Sequence, residues 1–303
     1  MAVVSAGAAT ALGSRSPELI VAVGAAGGSA AAAIRALAGD SPASLAAAAI
    51  APLLMIASWF DAGLVHDAMV RGAAFDASML DDTMMLRTAL AFAAMGWCIV
   101  ELSRPTSTPL VAALPAVVAG VLAPSTVALI AIAGARAMSA PWQRPRWAVM
   151  IPVIGTLAIA AAVVAGGAHG GPVAELGAVW FGQPATPIDP TGWLARAGDA
   201  LGPLTAAASI AGLMLLVRRR PAELALLACS AGAILVDLRA GSIGGVTIGA
   251  AALAAAFAIG RLAALIKLGA GQAIAGATAG LLLVIPPAWV AIDHEVASVA
   301  GPR

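Results

Sequence analysis

The segment 61–83 carries the residues of this chain that are best suited to acid–base chemistry. Asp61, His66 and Asp67 lie close together in it. Carboxylates and imidazoles are the side chains that most often transfer protons in enzymes, so these three residues form a candidate catalytic group. The alternative is a solvated loop with an amphipathic helix that anchors it to the bilayer surface.

Two adjacent acidic residues, Asp81 and Asp82, offer a second kind of chemistry. Carboxylate oxygens are the ligands that hard divalent cations prefer, so the pair could hold a metal ion bound to a diphosphate. An acidic residue just before an apolar run also caps the first turn of a helix. The pair therefore predicts either a metal site or the start of the helix that follows.

A second long polar loop, 167–199, contains His169, Glu175 and Trp180. Loops on a rigid scaffold often carry function, so we take these three residues as a candidate substrate or interface loop. Residues 174–181 could form a short interfacial or re-entrant helix. The glycines around the histidine suit a plain backbone turn equally well.

Several catalytic motifs are absent from the sequence. The run Asp293-His294-Glu295 is not the His-Glu-x-x-His motif of zinc proteases, and there is no P-loop. Cys98 and Cys229 have no metal-ligand spacing, and both sit in apolar runs that favour buried, unreactive thiols. The sequence therefore names no cofactor.

The composition identifies the solvent of this chain. Hydrophobic residues make up 61% of it, charged residues only 10%, and the mean hydropathy is +0.99. Soluble proteins carry roughly 25% charged residues, so the lipid bilayer must be the principal partner. No basic patch indicates nucleic acid. We expect an all-α fold: a polytopic integral membrane helix bundle.

The length of the apolar runs predicts nine or ten transmembrane helices. A helix needs about 20 apolar residues to cross the bilayer. The stretch 109–138 is long for one crossing, and Pro124 favours its division into two short helices. The predicted spans are 18–34, 43–60, 84–102, 109–122, 124–138, 147–166, 200–217, 222–238, 243–260 and 268–292.

Lys and Arg residues in short loops predict the orientation. The basic loops of the C-terminal half share one side, which we expect to face the cytoplasm of a bacterium. The C-terminus and loop 167–199 are then outside the cytoplasmic membrane. Ten spans also place loop 61–83 outside, whereas nine spans place it in the cytoplasm. Residues 36–38 resemble a signal-peptide cleavage site, so retention of residues 1–38 stays open.

Small residues indicate how the helices associate. Gly245 and Gly249 form one Gly-x-x-x-Gly pair, and Gly276 and Gly280 form another. Such pairs let helix backbones approach closely, either within the chain or with a second copy or another membrane protein. Trp59 ends an apolar run and is expected to anchor the chain at the membrane interface.

The ten-span topology gathers the histidines and most acidic residues on the outer face. At the level of architecture, this chain resembles the multi-span glycosyltransferases that use lipid-linked sugar donors. The resemblance implies an outer-face transferase in which Asp61, His66 or Asp67 is essential. The leading expectation remains a non-catalytic scaffold or assembly subunit. A transporter or flippase of neutral or lipidic solutes, with a cavity near 109–138, is the third hypothesis.

Overall fold

The computed structural model describes residues 17–69, 82–104, 109–139, 190–216, 220–240, 243–267 and 269–300. Within these ranges 92% of the residues are helical and none lies in a strand, which confirms the all-α fold. A 3₁₀ turn, Pro124–Thr126, separates two of the helices. The described α-helices are α1 (Pro17–Ala38), α2 (Pro42–Met69), α3 (Asp82–Ser103), α4 (Pro109–Leu122), α5 (Ala128–Ser139), α6 (Pro190–Leu201), α7 (Pro203–Leu215), α8 (Pro221–Ala240), α9 (Gly245–Ala263) and α10 (Gly269–Ala300).

Six of the described helices are long and apolar enough to cross a membrane: α1, α2, α3, α8, α9 and α10. The bent pair of α6 and α7 makes a seventh candidate if it is one broken span. Helices α4 and α5 are apolar but shorter. The chain is therefore a multi-pass integral membrane protein.

Proline sets most of the helix boundaries. It is the first residue of six of the described α-helices: α1, α2, α4, α6, α7 and α8. The first turn of a helix has no use for a backbone N–H, and the fixed φ of proline suits that position. Pro124 opens the 3₁₀ turn after α4, so the stretch 109–138 is divided there.

Two helices differ from the predicted spans in a way that matters for function. The apolar stretch Pro42–Trp59 lies at the predicted span 43–60, and helix α2 continues beyond it through Met69. The predicted span 200–217 is two helices, since Gly202 separates α6 from α7. Helix α6 therefore occupies the end of the predicted loop 167–199. The predicted span 147–166 lies outside the described residues.

Helix α9 is the centre of the bundle, and 83% of its residues are buried. Ser209 of α7 donates a hydrogen bond to the carbonyl oxygen of Ala251, at 2.8 Å. One turn further on, Gly212 lies directly against the backbone of Ala254. Only glycine fits there, so α7 and α9 are in backbone contact.

The predicted small-residue pairs are used within the chain. Gly249 of α9 lies against the ring of Phe92 in α3. Gly276 and Gly280 of α10 lie against α2, the second of them beside Ile50. These contacts bring helix axes close together, which is how helices associate in lipid.

The contacts fix the relative directions of the helices. The indole N–H of Trp59 donates to the carbonyl of Gly245, so the end of α2 lies beside the start of α9. Gly260 lies near Ser44 and Ala47, at the start of α2. Helices α2 and α9 are therefore antiparallel. We name the two ends of the bundle the Trp59 end and the Ser44 end.

The remaining helices follow from these two. Gly260 also lies near Ala38, so α1 ends at the Ser44 end and begins at the Trp59 end. Gly276 lies near Ala43, so α10 runs from the Ser44 end to the Trp59 end. The basic residues at the Ser44 end are Arg35, Arg104, Arg136, Arg220, Arg261 and Lys267, whereas Arg87, Arg196 and Arg239 are at the Trp59 end.

Candidate functional site

Trp59 is a core residue of the bundle. Only 2% of its surface is exposed, and its indole nitrogen lies 2.8 Å from the carbonyl oxygen of Gly245. The ring also packs edge-on against Phe92, at 5.6 Å between centroids. The expectation of an interfacial anchor is wrong for this residue, because a protein carbonyl takes the place of water at its N–H group.

The predicted catalytic residues Asp61, His66 and Asp67 follow Trp59 on helix α2. The structure describes their backbone and not their side chains. Position 66 follows Trp59 by seven residues, which is two helical turns and about 10 Å along the axis. It continues the stripe on which Trp59 stands. Positions 61 and 67 lie on other sides of the helix, since successive residues are about 100° apart. Of the three positions, only 66 is on the same side of the helix as Trp59 by backbone register.

Of the other predicted site residues, only Asp82 lies within the described ranges. Asp82 is the first residue of α3, which is the helix start that its sequence context allowed. Asp81, His169, Glu175 and Trp180 lie outside the described residues. Among the described residues, no three His, Cys, Asp or Glu side chains are placed to share a metal ion.

The described part of the Trp59 end has one conspicuous irregularity, the elbow between α6 and α7. The chain bends there by 114°. Gly202 has φ 72°, a left-handed conformation that favours glycine, and Pro203 starts the next helix. Helix α6 therefore lies across the end of the bundle, where it contacts α2, α7 and α9. Its buried residues include Ala197 and Ala200.

Four polar side-chain atoms in this region have no hydrogen-bond partner among the described residues. They are the hydroxyl oxygens of Ser58 and Thr247, the indole nitrogen of Trp193 and Nε of Arg196. Ser58 is 1% exposed and Thr247 is 6% exposed. Buried polar groups are nearly always paired, with protein, water or a ligand. All four atoms lie where α6 meets α2 and α9.

A groove of about 260 Å³ opens beside the elbow. One wall is the elbow, Leu201–Thr205, and the other is Leu282, Leu283, Pro286 and Pro287 of α10. The lining is almost entirely apolar. Helix α10 runs toward the Trp59 end, so the groove lies in the half of the bundle nearest to that end.

The two prolines give the groove a polar component. In a helix, residues 286 and 287 would donate hydrogen bonds to the carbonyls of Leu282 and Leu283. Proline has no N–H group, so neither bond forms. The carbonyls that lack these helical donors belong to two residues of the groove wall. In a bilayer such carbonyls need another donor, for example a hydroxyl group or water.

Two polar contacts at the Trp59 end are structural, and sequence reasoning missed both. Nε of Arg87 donates to the carbonyl oxygen of Leu122, at 2.7 Å, where α4 ends before the proline. Oδ2 of Asp237 accepts a hydrogen bond from the backbone N–H of Gly244, at 3.0 Å, and so joins α8 to α9. The helix-breaking residues nearby could have indicated both contacts, because the end of a helix leaves backbone groups that need hydrogen-bond partners.

The Ser44 end holds buried polar residues of a different kind. Glu101 is 5% exposed and accepts a hydrogen bond from Arg104 at 2.7 Å. Glu223 is 4% exposed and stands in the first turn of α8, where a helix favours negative charge. The free thiols of Cys98 and Cys229 are buried nearby, as their apolar context predicted. None of these residues lines the groove beside the elbow.

Comparison of the chain with protein-family models, with curated proteins and with solved structures finds no match. The chemistry of the Trp59 end therefore rests on its own residues. An apolar groove beside the elbow and a helix that extends beyond the bundle fit an amphiphilic molecule better than a soluble one.

Proposed function

We propose that the protein is a membrane transferase that acts on a lipid-linked substrate at the Trp59 end. The observation that carries the proposal is the extension of α2. It brings His66 to the same end of the bundle as the elbow groove, so a candidate proton acceptor and a lipid-accessible groove share one membrane face. Asp61 and Asp67 flank it on the same helix.

The distribution of basic residues supports an outer-face location for this chemistry. Lys and Arg concentrate on the cytoplasmic side of membrane proteins. The Ser44 end carries Arg35, Arg104 and the basic residues that precede α8, so we assign it to the cytoplasm. The Trp59 end is then external. Both the start of α1 and the end of α10 lie at this end, in keeping with ten spans and an external C-terminus.

The proposed reaction moves a glycosyl group from a lipid phosphate to an acceptor hydroxyl. The bond between the anomeric carbon and the acceptor oxygen forms as the bond to the phosphate oxygen breaks. The proton of the acceptor passes to His66 or to a flanking carboxylate. The lipid phosphate leaves as an anion. General base catalysis of this kind contributes about 10²–10⁴-fold to the rate.

The test is turnover by the purified chain in liposomes that contain a polyprenyl phosphate-linked radioactive hexose. Release of the hexose is measured with and without acceptor glycans extracted from membranes. We expect His66→Ala to lower turnover by about a hundredfold or more. Asp40→Ala is the matched control, because Asp40 is an exposed acidic residue at the Ser44 end. Full turnover by a variant with Ala at positions 61, 66 and 67, or none by the wild type, would overturn the proposal.

Sidedness is tested separately with a Ser78→Cys variant in a background that lacks Cys98 and Cys229. An impermeant maleimide is applied to intact cells, with lysed cells as the control for reactivity. Labelling of intact cells is the expected result. Labelling that requires lysis would place segment 61–83 in the cytoplasm and remove the outer-face site.

A non-catalytic scaffold is the second candidate, and α10 is the observation that favours it. Only 17% of the span Gly269–Pro287 is buried, so a partner helix could cover it. A scaffold should retain a stoichiometric partner after extraction in mild detergent. Isolation as a lone chain with turnover would exclude this function.

The transporter hypothesis gains no such support. It expected a cavity near 109–138. Among the described residues of that stretch, Gly120 of α4 packs against Ile130 of α5. The groove described above lies at the elbow, between α7 and α10.

A further inference from the structure

We infer that the elbow groove binds one anionic lipid, with a segment of its chain between α7 and α10 and its phosphate on Arg196. This inference deepens the proposed function and rests on it, because such a lipid would be the carrier of the transferred group. The argument combines the position of the arginine, the size of the groove and the two prolines of α10.

Arg196 lies five residues before Leu201, the first residue of the groove wall, which is about 7.5 Å along a helix. It stands on the buried side of α6, one residue before the buried Ala197. Its Nε atom is buried and has no hydrogen-bond partner among the described residues. A guanidinium group offers a planar set of donors that matches phosphate, and desolvation strengthens such pairs.

The dimensions of the groove point to part of a lipid. Pockets for whole drug-sized ligands measure roughly 300–1,000 Å³, which is larger than this groove of about 260 Å³. Its apolar walls suit a hydrocarbon chain whose remainder lies in the surrounding bilayer. Thr205 is the polar residue of the elbow wall, and it is buried against α9.

The register of α7 on α9 places a second polar residue next to Thr205. Ser209 pairs with Ala251 and Gly212 lies on Ala254, so Thr205 stands beside Thr247. The hydroxyl of Thr247 has no partner among the described residues. In the groove wall itself, the carbonyls of Leu282 and Leu283 accept hydrogen bonds from the hydroxyl groups of a lipid head.

The experiment uses two photoactivatable lipids that differ only in head group, phosphatidylglycerol and phosphatidylcholine, each with a diazirine in the acyl chain. Each is diluted into liposomes that contain the full chain, and labelled peptides are identified by mass spectrometry. We expect the anionic probe to label the elbow and residues 282–287 roughly tenfold more than the zwitterionic one. Equal labelling by the two probes would overturn the inference.

Four variants separate the charge from the groove. Arg196→Gln should bring the two probes to equal labelling, whereas Arg239→Gln, at the same end, should keep the preference. Leu282→Trp should lower labelling by both probes, since this residue lines the groove. Leu281→Trp is the matched control, because Leu281 is exposed on the same helix and lies outside the groove wall. If Arg196→Gln fails to fold, the comparison of Leu282→Trp with Leu281→Trp still tests whether the lipid occupies the groove. Equal labelling of these two variants would overturn the inference.

Two further arms distinguish the possible failures. Loss of the anionic preference in excess inorganic phosphate would identify a free-phosphate site and reject the lipid. The His66→Ala variant should bind the probe like the wild type, since labelling needs no turnover. Labelling without turnover in the wild type would overturn the transferase alone. Turnover without labelling at the elbow would overturn the lipid site alone.

Discussion

Helices α9 and α10 are neighbours in sequence and alike in composition, yet the bundle treats them in opposite ways. Both contain a Gly-x-x-x-Gly pair and an apolar stretch of 19 residues. In α9, 83% of that stretch is buried, against 17% in α10. An apolar sequence therefore predicts that a helix is surrounded by lipid or by protein and not by water. It does not predict whether lipid or protein surrounds the helix.

The difference lies in the number of close contacts around each helix. Helix α9 meets Gly212 of α7 on one side and Phe92 of α3 on another. Helix α10 meets α2 along the single stripe of Gly276 and Gly280, and its other sides expose Ile274 and Leu281. A substitution should therefore lower the free energy of unfolding more in a helix that has more close backbone contacts.

The largest effect is expected for Gly212→Ala. The added methyl group would overlap the carbonyl of Ala254, and a backbone group cannot rotate away. We expect a loss of about 3 kcal/mol in the free energy of unfolding, measured by titration with dodecyl sulfate in mixed micelles. Gly134→Ala is the control, because a methyl group there meets no described atom within 4 Å. Equal stability of the two variants would refute the close contact of α7 and α9.

A smaller effect is expected for Gly280→Ala in α10. Its methyl group would overlap the side chain of Ile50, and a side chain can change its rotamer whereas a backbone carbonyl cannot. We expect a loss of about 1–2 kcal/mol by the same titration. A loss as large as that of Gly212→Ala would show that α10 is held as tightly as α9, and the comparison between the two helices would fail.

Trp59→Phe tests the contact that joins α2 to the start of α9. The substitution leaves the carbonyl of Gly245 without its indole donor. Side-chain hydrogen bonds in membrane proteins contribute about 0.6 kcal/mol on average and up to about 1.7 kcal/mol, so we expect a loss of about 1 kcal/mol. Trp97→Phe, at a position that is 59% exposed, should leave the unfolding midpoint unchanged. The reverse order would argue against a buried Trp59.

The smallest effect is expected for Leu281→Ala. This residue is 51% exposed on the face of α10 that turns away from the bundle. Lipid replaces the lost methyl groups, so the free energy of unfolding should change by about 0.5 kcal/mol or less. A larger loss in the isolated chain would indicate that another surface covers this face.

The fold class could be predicted because charge is scarce everywhere in the chain, and the prolines placed most helix starts. The bend at Gly202 was not predicted, because the spans were drawn by the length of apolar runs. Glycine and proline do not interrupt such a run. The end of α2 was missed for a related reason. Asp61 marks the expected edge of the hydrocarbon, whereas a helix ends only where its backbone is interrupted.

The candidate site was harder to predict than the fold. His66 could be singled out because imidazole is rare here and chemically versatile. Arg196 gave no signal in the sequence, because its importance depends on the fold of α6 over α2 and α9. The pairing of Asp237 with Gly244 depends likewise on the tight turn between two helices.

The two prolines of α10 also have a mechanical consequence. With 32 residues, this helix is about 48 Å long, against a hydrocarbon core of about 30 Å. Pro286 stands about 26 Å from the start, close to where the helix leaves the hydrocarbon. The two missing backbone hydrogen bonds make the helix easier to bend here than elsewhere. A thinner or thicker bilayer is therefore expected to bend it at this point. Because Pro286 and Pro287 line the elbow groove, such a bend would change the distance between α10 and the elbow.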